Sequence, residues 1–118
     1  MIFNVTGRLL DACVLGLLQE NDTYGYDLNQ KIAEFMEVSE STLYPVLRRL
    51  TKENALTSYD KPYDGRNRKY YHITEVGQRI LAEYKENWQI HSNIVSTLLE
   101  GGKNHDKRDV SEEIGEGN

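Results

Sequence analysis

The stretch Ser39–Asn54, SESTLYPVLRRLTKEN, constrains this chain most, because its two faces demand different partners. Leu43, Val46, Leu47 and Leu50 recur at i, i+3, i+4 and i+7, the spacing that lines one face of an α-helix and buries it. The opposite face carries Ser41, Thr42, Tyr44, Pro45, Arg48 and Lys52: hydroxyls, an aromatic ring and cations, with no carboxylate among them. Such a face suits phosphates and base edges, and a helix with hydroxyls in its N-terminal half and cations in its later turns suits a DNA major groove. Ser39 is the expected N-cap, and Glu40 stands where the helix dipole favours a negative charge. Pro45 lacks a donor and clashes with the carbonyl four residues back, which predicts a kink or a tight 3₁₀-like first turn. Taken alone, the same face also fits an ordinary amphipathic helix turned to solvent.

A chain of 118 residues allows one domain with a modest core and one further element. The lone cysteine, Cys13, cannot form an intramolecular disulfide, and on an apolar stripe it reads as a small buried hydrophobe. No N-terminal signal pattern is present, and no apolar run approaches the ~20 residues that span a bilayer, so a soluble, cytoplasmic protein without a membrane partner is expected. The formal net charge of −5 argues at first against nucleic acid. Its distribution answers that objection. Between Ser39 and Ile73 stand seven Lys and Arg against four Asp and Glu, while the remainder holds seven against fifteen. A locally basic segment in an acidic protein binds DNA while the rest discourages nonspecific adhesion.

The first element is expected from about Val5 to Gln19, with Leu9, Leu10, Cys13, Val14, Leu17 and Leu18 in a wide apolar stripe. Thr23 is the expected N-cap of a second helix, in which Leu28, Ile32 and Phe35 face inward and Gly25 allows close approach of a neighbour. Two short helices three or four residues apart match helix-turn-helix spacing. After Asn54 the period changes from 3.6 to 2. Leu56–Tyr59 and Arg68–Ile73 read as strands, with Tyr71 and Ile73 on one face, Tyr70 and His72 on the other, and an Asp64-Gly65 turn between. Lys61, Arg66, Arg68 and Lys69 cluster at the hairpin tip, where they reach phosphates or a minor groove, or simply keep an edge hairpin soluble. A hairpin directly after a helix-turn-helix is a wing. The expected fold is mainly α with a small β-hairpin, a winged helix-turn-helix followed by a long C-terminal helix.

The segments YGYDL (24–28), STLYPVLRRL (41–50) and GRNRKYYHIT (65–74), with the TEVG that follows, resemble the PadR family of bacterial winged-helix transcriptional regulators, in the short form with a single C-terminal helix. The resemblance covers roughly residues 5 to 100. It implies a homodimer that represses its target by binding a palindromic operator and lets go on an effector or stress signal. It also implies that Ser41, Thr42, Tyr44 and Arg48 lie on the recognition helix, and Arg66, Arg68 and Lys69 on the wing. With Lys52 and Lys61 these form the expected contact set for double-stranded DNA.

The last helix begins with Thr74 as N-cap and is expected to reach about Leu99. Ile80 or Leu81, Tyr84, Trp88, His91, Val95 and Leu98 keep alternating steps of three and four, a heptad-like seam that needs a partner helix. The partner is expected to be a second copy of the chain, so the domain plan reads 1–74 for DNA binding, 75–100 for dimerisation and 101–118 as a disordered tail. Trp88 and Tyr84 are candidates for an effector site. Trp88 either fills the dimer core or, as in some multidrug-sensing members of the family that the chain resembles, stacks with its twin on a planar apolar or cationic compound. His72, His91 and His105 are far apart and no His/Cys pair has ligand spacing, so no metal, cofactor or catalytic residue is expected and the chain is not read as an enzyme. The alternative function is a winged-helix module that presents the same basic helix to an acidic protein.

Overall fold

The computed structural model describes residues 8–102. The elements run α1 (Leu9–Glu20), β1 (Thr23–Tyr24), α2 (Gly25–Ala33), α3 (Glu40–Lys52), β2 (Leu56–Tyr63), β3 (Arg66–Ile73) and α4 (Glu75–Leu99). Four helices with a small antiparallel sheet of order β1-β3-β2 make a winged helix-turn-helix. The expected start of α1 near Val5 lies partly outside the described residues.

The apolar face of α3 is the centre of the core. Leu43, Val46, Leu47 and Leu50 are all buried, packed with Val14, Leu15 and Leu18 of α1, Leu28 and Ile32 of α2, and Leu56, Tyr71 and Ile73 of the sheet. Each fully buried Leu or Val is worth roughly 1.5–3 kcal/mol, so the four α3 side chains outweigh the ~3 kcal/mol that an interior proline costs. The helix accordingly runs unbroken through Pro45, whose missing N–H deprives only the exposed Ser41 carbonyl. The first turn is tight, with the Thr42 N–H donating to the Ser39 carbonyl three residues back at 3.0 Å. Ser39 occupies the N-cap with extended backbone, yet its hydroxyl bonds Ser41 (3.0 Å) and Thr42 (3.3 Å) rather than a helix N–H. At the other end Asn54 takes the left-handed conformation (φ 66°) and the Ala55 N–H donates to the Leu50 carbonyl, a Schellman closure that turns the chain into β2.

Two features of α2 differ from the sequence expectation. Thr23 is not a cap: Thr23–Tyr24 forms β1, paired Thr23↔Tyr71 and Tyr24↔Tyr70, and the Thr23 hydroxyl donates to Asp27 at 2.7 Å. An open β3 edge offers two residues a ladder of backbone partners, which a single capping bond does not match. The helix then ends at Ala33, short of the i+7 position, leaving Phe35 84% exposed. Gly25 does allow a close approach, because a Cβ there would lie 2.6 Å from a ring carbon of Tyr44.

The hairpin is longer than the alternation indicates, and Pro62 lies inside it opposite Asn67. Asp64 and Gly65 have φ of 54° and 79°, a two-residue turn of the type that matches strand twist. Tyr71 and Ile73 face the core as expected. Tyr70, on the opposite face, is nevertheless buried, because Tyr24 and Tyr59 cover it at centroid distances of 5.4 and 5.7 Å.

Thr74 caps α4: its hydroxyl accepts from the Gly77 N–H at 3.0 Å and donates to the Asn54 carbonyl at 2.7 Å. The first compact unit continues through Tyr84, ten residues beyond the boundary expected after Thr74. Leu81 and Tyr84 are each only 5% exposed within it, Leu81 in the main core and Tyr84 against Ala12 and Leu9. Both are thus covered within the chain itself, rather than left open on the helix face that their spacing assigned to a seam and an effector site. From Lys85 onward the helix belongs to a second unit, in which Trp88, Val95 and Leu98 are exposed and His91 is partly so. Gly101 and Gly102, both with positive φ, close α4 through bonds to the Leu98 and Thr97 carbonyls. These two glycines open the stretch 101–118 expected as a tail, and the rest of it lies outside the described residues.

Candidate nucleic-acid interface

The hydroxyls of Ser41 and Thr42 stand exposed at the start of α3, followed on the same side by Arg48 and Lys52, both exposed. Tyr44 is half-buried, its ring seated on Gly25. Burial, helped by the nearby Glu40 carboxylate, raises the Tyr44 hydroxyl above its usual range, so it stays a neutral donor and acceptor. The neighbouring Arg49 points elsewhere. Its guanidinium bonds the buried Asp11 carboxylate at 2.5 Å, and Arg8 bonds the same carboxylate at 2.6 Å. This ion cluster ties α1 to α3 and engages the Arg49 guanidinium with Asp11, although Arg49 itself stays exposed.

Strand alternation divides the wing cations. Lys69 and Asn67 lie on the sheet face that carries Tyr71, whereas Lys61, Arg66 and Arg68 lie on the face that carries Tyr24, Tyr59, Tyr63 and Tyr70. An open cleft of about 510 Å³ runs between the start of α2, α3 and β3. Tyr24, Tyr26, Tyr44 and Arg48 line one side and Arg66, Asn67, Arg68 and Lys69 the other. A second cleft of about 660 Å³ carries Arg48, Arg49 and Lys52 opposite Ser58 and Lys69. Arg48, Lys69 and Tyr71 border both clefts. Lys61 borders neither; its ammonium lies 5.0 Å above the Tyr70 ring. Of the residues singled out from sequence, Tyr44, Arg48, Lys52, Arg66, Arg68 and Lys69 thus line one region, with Ser41 and Thr42 on the exposed turn that begins α3.

Spacing alone missed Tyr24, Tyr26 and Asn67, and it read Gly25 only as a point of close approach. Tyr24 and Gly25 matter because β1 brings them beside β3 and Tyr44, a tertiary pairing without a local signal beyond the YGYDL segment itself. Among the described residues, no cluster of three or more His, Cys, Asp and Glu side chains could hold a metal ion, and no helix is long and apolar enough to cross a membrane.

Comparison with known proteins gives a consistent picture. The family model described as the transcriptional regulator PadR-like family matches residues 14–83. A PadR-like transcriptional regulator from Bacillus cereus superposes with a TM-score of 0.72 at 38% identity, covering 80% of this chain and 94% of its own. A Streptococcus mutans protein of solved structure reaches a TM-score of 0.76 at 35% identity, covering 86% of this chain and 95% of its own. Bacillus subtilis PadR, solved in complex with operator DNA, superposes with a TM-score of 0.60 at 28% identity over 65% of this chain and 46% of that one.

Proposed function

Because the chain belongs to the PadR-like family of transcriptional regulators, a non-enzymatic class, we propose that it represses transcription as a homodimer bound to a palindromic operator in the cytoplasm. The observation that carries this reading is the convergence on one pair of clefts of Tyr44, Arg48 and Lys52 from α3 with Arg66, Arg68 and Lys69 from the wing. The α3 residues approach base edges in the major groove, and the wing cations neutralise flanking phosphates. The similarity to a protein solved with operator DNA supports the DNA-binding reading.

Dimerisation is assigned to the second unit. Trp88, Val95 and Leu98 are 41%, 38% and 67% exposed, and Ile94, at 54%, widens the stripe. An apolar helix face of this length needs cover in water, and a two-fold copy supplies the same face. Two half-sites held together bind far more tightly than either alone. Release on a signal completes the reading. Trp88, with the His91 ring at a centroid distance of 5.9 Å, is the remaining aromatic candidate for a planar apolar or cationic effector once Tyr84 is assigned to the protomer core. The test is a shift assay on DNA from upstream of the protein's own gene against an unrelated duplex. Selective retardation of the first supports the repressor reading; retardation of neither, with capture of an acidic protein instead, favours the protein-interaction module.

A further inference from the structure

The wing's outer face holds an arrangement that charge counting misses. The Arg68 guanidinium carbon lies 4.7 Å from the centroid of Tyr24 and 5.4 Å from that of Tyr63, and the two rings are 5.9 Å apart, so the three groups form a closed cluster. The Arg68 Nε also donates to the Tyr63 carbonyl at 3.5 Å. A guanidinium is planar, stays charged and stacks on aromatic faces, so two rings and a carbonyl restrict it far more than solvent would. Its Nη groups carry no partner among the described residues, and Arg68 lines the cleft that Tyr44 and Arg48 border. Tyr24 is followed by Gly25, against which the Tyr44 ring is seated. One dipeptide therefore touches a wing cation with its first residue and the recognition-helix tyrosine with its second.

We propose that Tyr24 and Tyr63 are positioning residues that hold the Arg68 guanidinium at a set distance from Tyr44, so that wing and recognition helix meet DNA in one register. The proposal rests on the DNA-binding reading above and adds to it a device that fixes a long, rotamer-rich side chain before binding. Preorganisation lowers the ordering cost of association, and its effect should be read as affinity. A purely structural role for the tyrosines would stabilise the hairpin without depending on the arginine.

The experiment uses the full chain in two arms. In the free protein, the Arg68 Nε–H resonance should be shifted upfield by the rings, the shift should collapse in Tyr63→Leu, and Tyr63→Phe should restore it. On DNA, a random duplex at low salt suffices as probe, since a phosphate contact carries no sequence information. Tyr63→Leu should weaken binding roughly two- to five-fold, the range that a cation–π contact supports. Tyr63→Phe should bind like the parent, and Tyr63→Leu should cost nothing further in the Arg68→Ala background. An equal loss from Tyr63→Leu in both backgrounds, or an unshifted Arg68 resonance in the parent, overturns the positioning role while leaving DNA binding intact. A shifted resonance in a parent protein that binds neither random nor upstream duplex overturns the DNA-binding reading, and the positioning role with it.

Discussion

Gly25 shows how much depends on single atoms at the candidate interface. A methyl group at this position would lie 2.6–3.0 Å from two ring carbons and the hydroxyl oxygen of Tyr44, and this side chain is what must move. Gly25→Ala is therefore expected to leave the fold intact and to reduce discrimination between operator and random DNA, measured as the ratio of the two affinities. The same ratio should fall in Tyr44→Ala, whereas Lys69→Ala should weaken binding to every duplex alike and lower the salt slope by about one. A second residue-scale effect concerns acid. Asp22 accepts from the Tyr59 hydroxyl at 2.7 Å and lies 2.9 Å from His72 Nδ1. Burial alone would raise this carboxyl, but the hydrogen bonds from His72 and Tyr59 outweigh it and hold the pKa below the usual carboxylate range. A carboxyl depressed in the folded state stabilises the fold above its unfolded pKa of about 4 and loses that contribution as pH falls through the folded value. Asp22→Asn should thus flatten the fall of melting temperature below about pH 4, and an unchanged acid limb would remove Asp22 from the accounting.

Among the elements, α3 was the most legible and the sheet the least. The i, i+3, i+4, i+7 pattern of Leu43, Val46, Leu47 and Leu50 named its buried face correctly, because helix periodicity is local and burial follows it. The Asp64-Gly65 turn was legible for the same reason: its left-handed φ values are a property of two neighbouring residues. By contrast β1 has only two residues, and it exists because β3, 48 positions later in the Thr23↔Tyr71 pair, has an open edge. No window of sequence around Thr23 contains that information. The buried ion cluster of Asp11 with Arg8 and Arg49 was equally hidden, since it joins elements 38 residues apart. Removing the carboxylate in Asp11→Ala strips charge-assisted bonds from two arginines that can still turn to water, so a loss of about 1–3 kcal/mol in denaturant unfolding is expected. Arg49→Ala leaves Asp11 paired with Arg8 and should cost less.

For the whole molecule, assembly is the property on which the proposed operator binding turns. Charging the exposed seam in the full chain, with Val95→Asp and Leu98→Asp together, should give a monomer by sedimentation at micromolar concentration, with the first unit still folded and operator affinity greatly reduced. A dimer that survives this change would place the interface elsewhere. The seam also illustrates where heptad reading fails. Leu81 and Tyr84 share its spacing with Trp88 and Val95, yet they are buried within the first unit, because α4 begins against the Asn54-Ala55 turn, where Gly77 allows close packing on Ala55 and Ile73. Periodicity says which residues share a helix face, and nothing in it says what covers that face. By itself the sequence determined the apolar face of α3, the Asp64-Gly65 hairpin, the Thr74 cap and a basic segment in an acidic chain, all features set by neighbours within a few residues. Only the tertiary structure decided that Thr23–Tyr24 is a strand, that Arg49 pairs with Asp11, that Lys61 and Arg68 rest on tyrosines and that Leu81 and Tyr84 are buried within the first unit. Each of these depends on groups brought together from distant positions, where close packing and the pairing of buried polar atoms choose among contacts that local spacing permits equally.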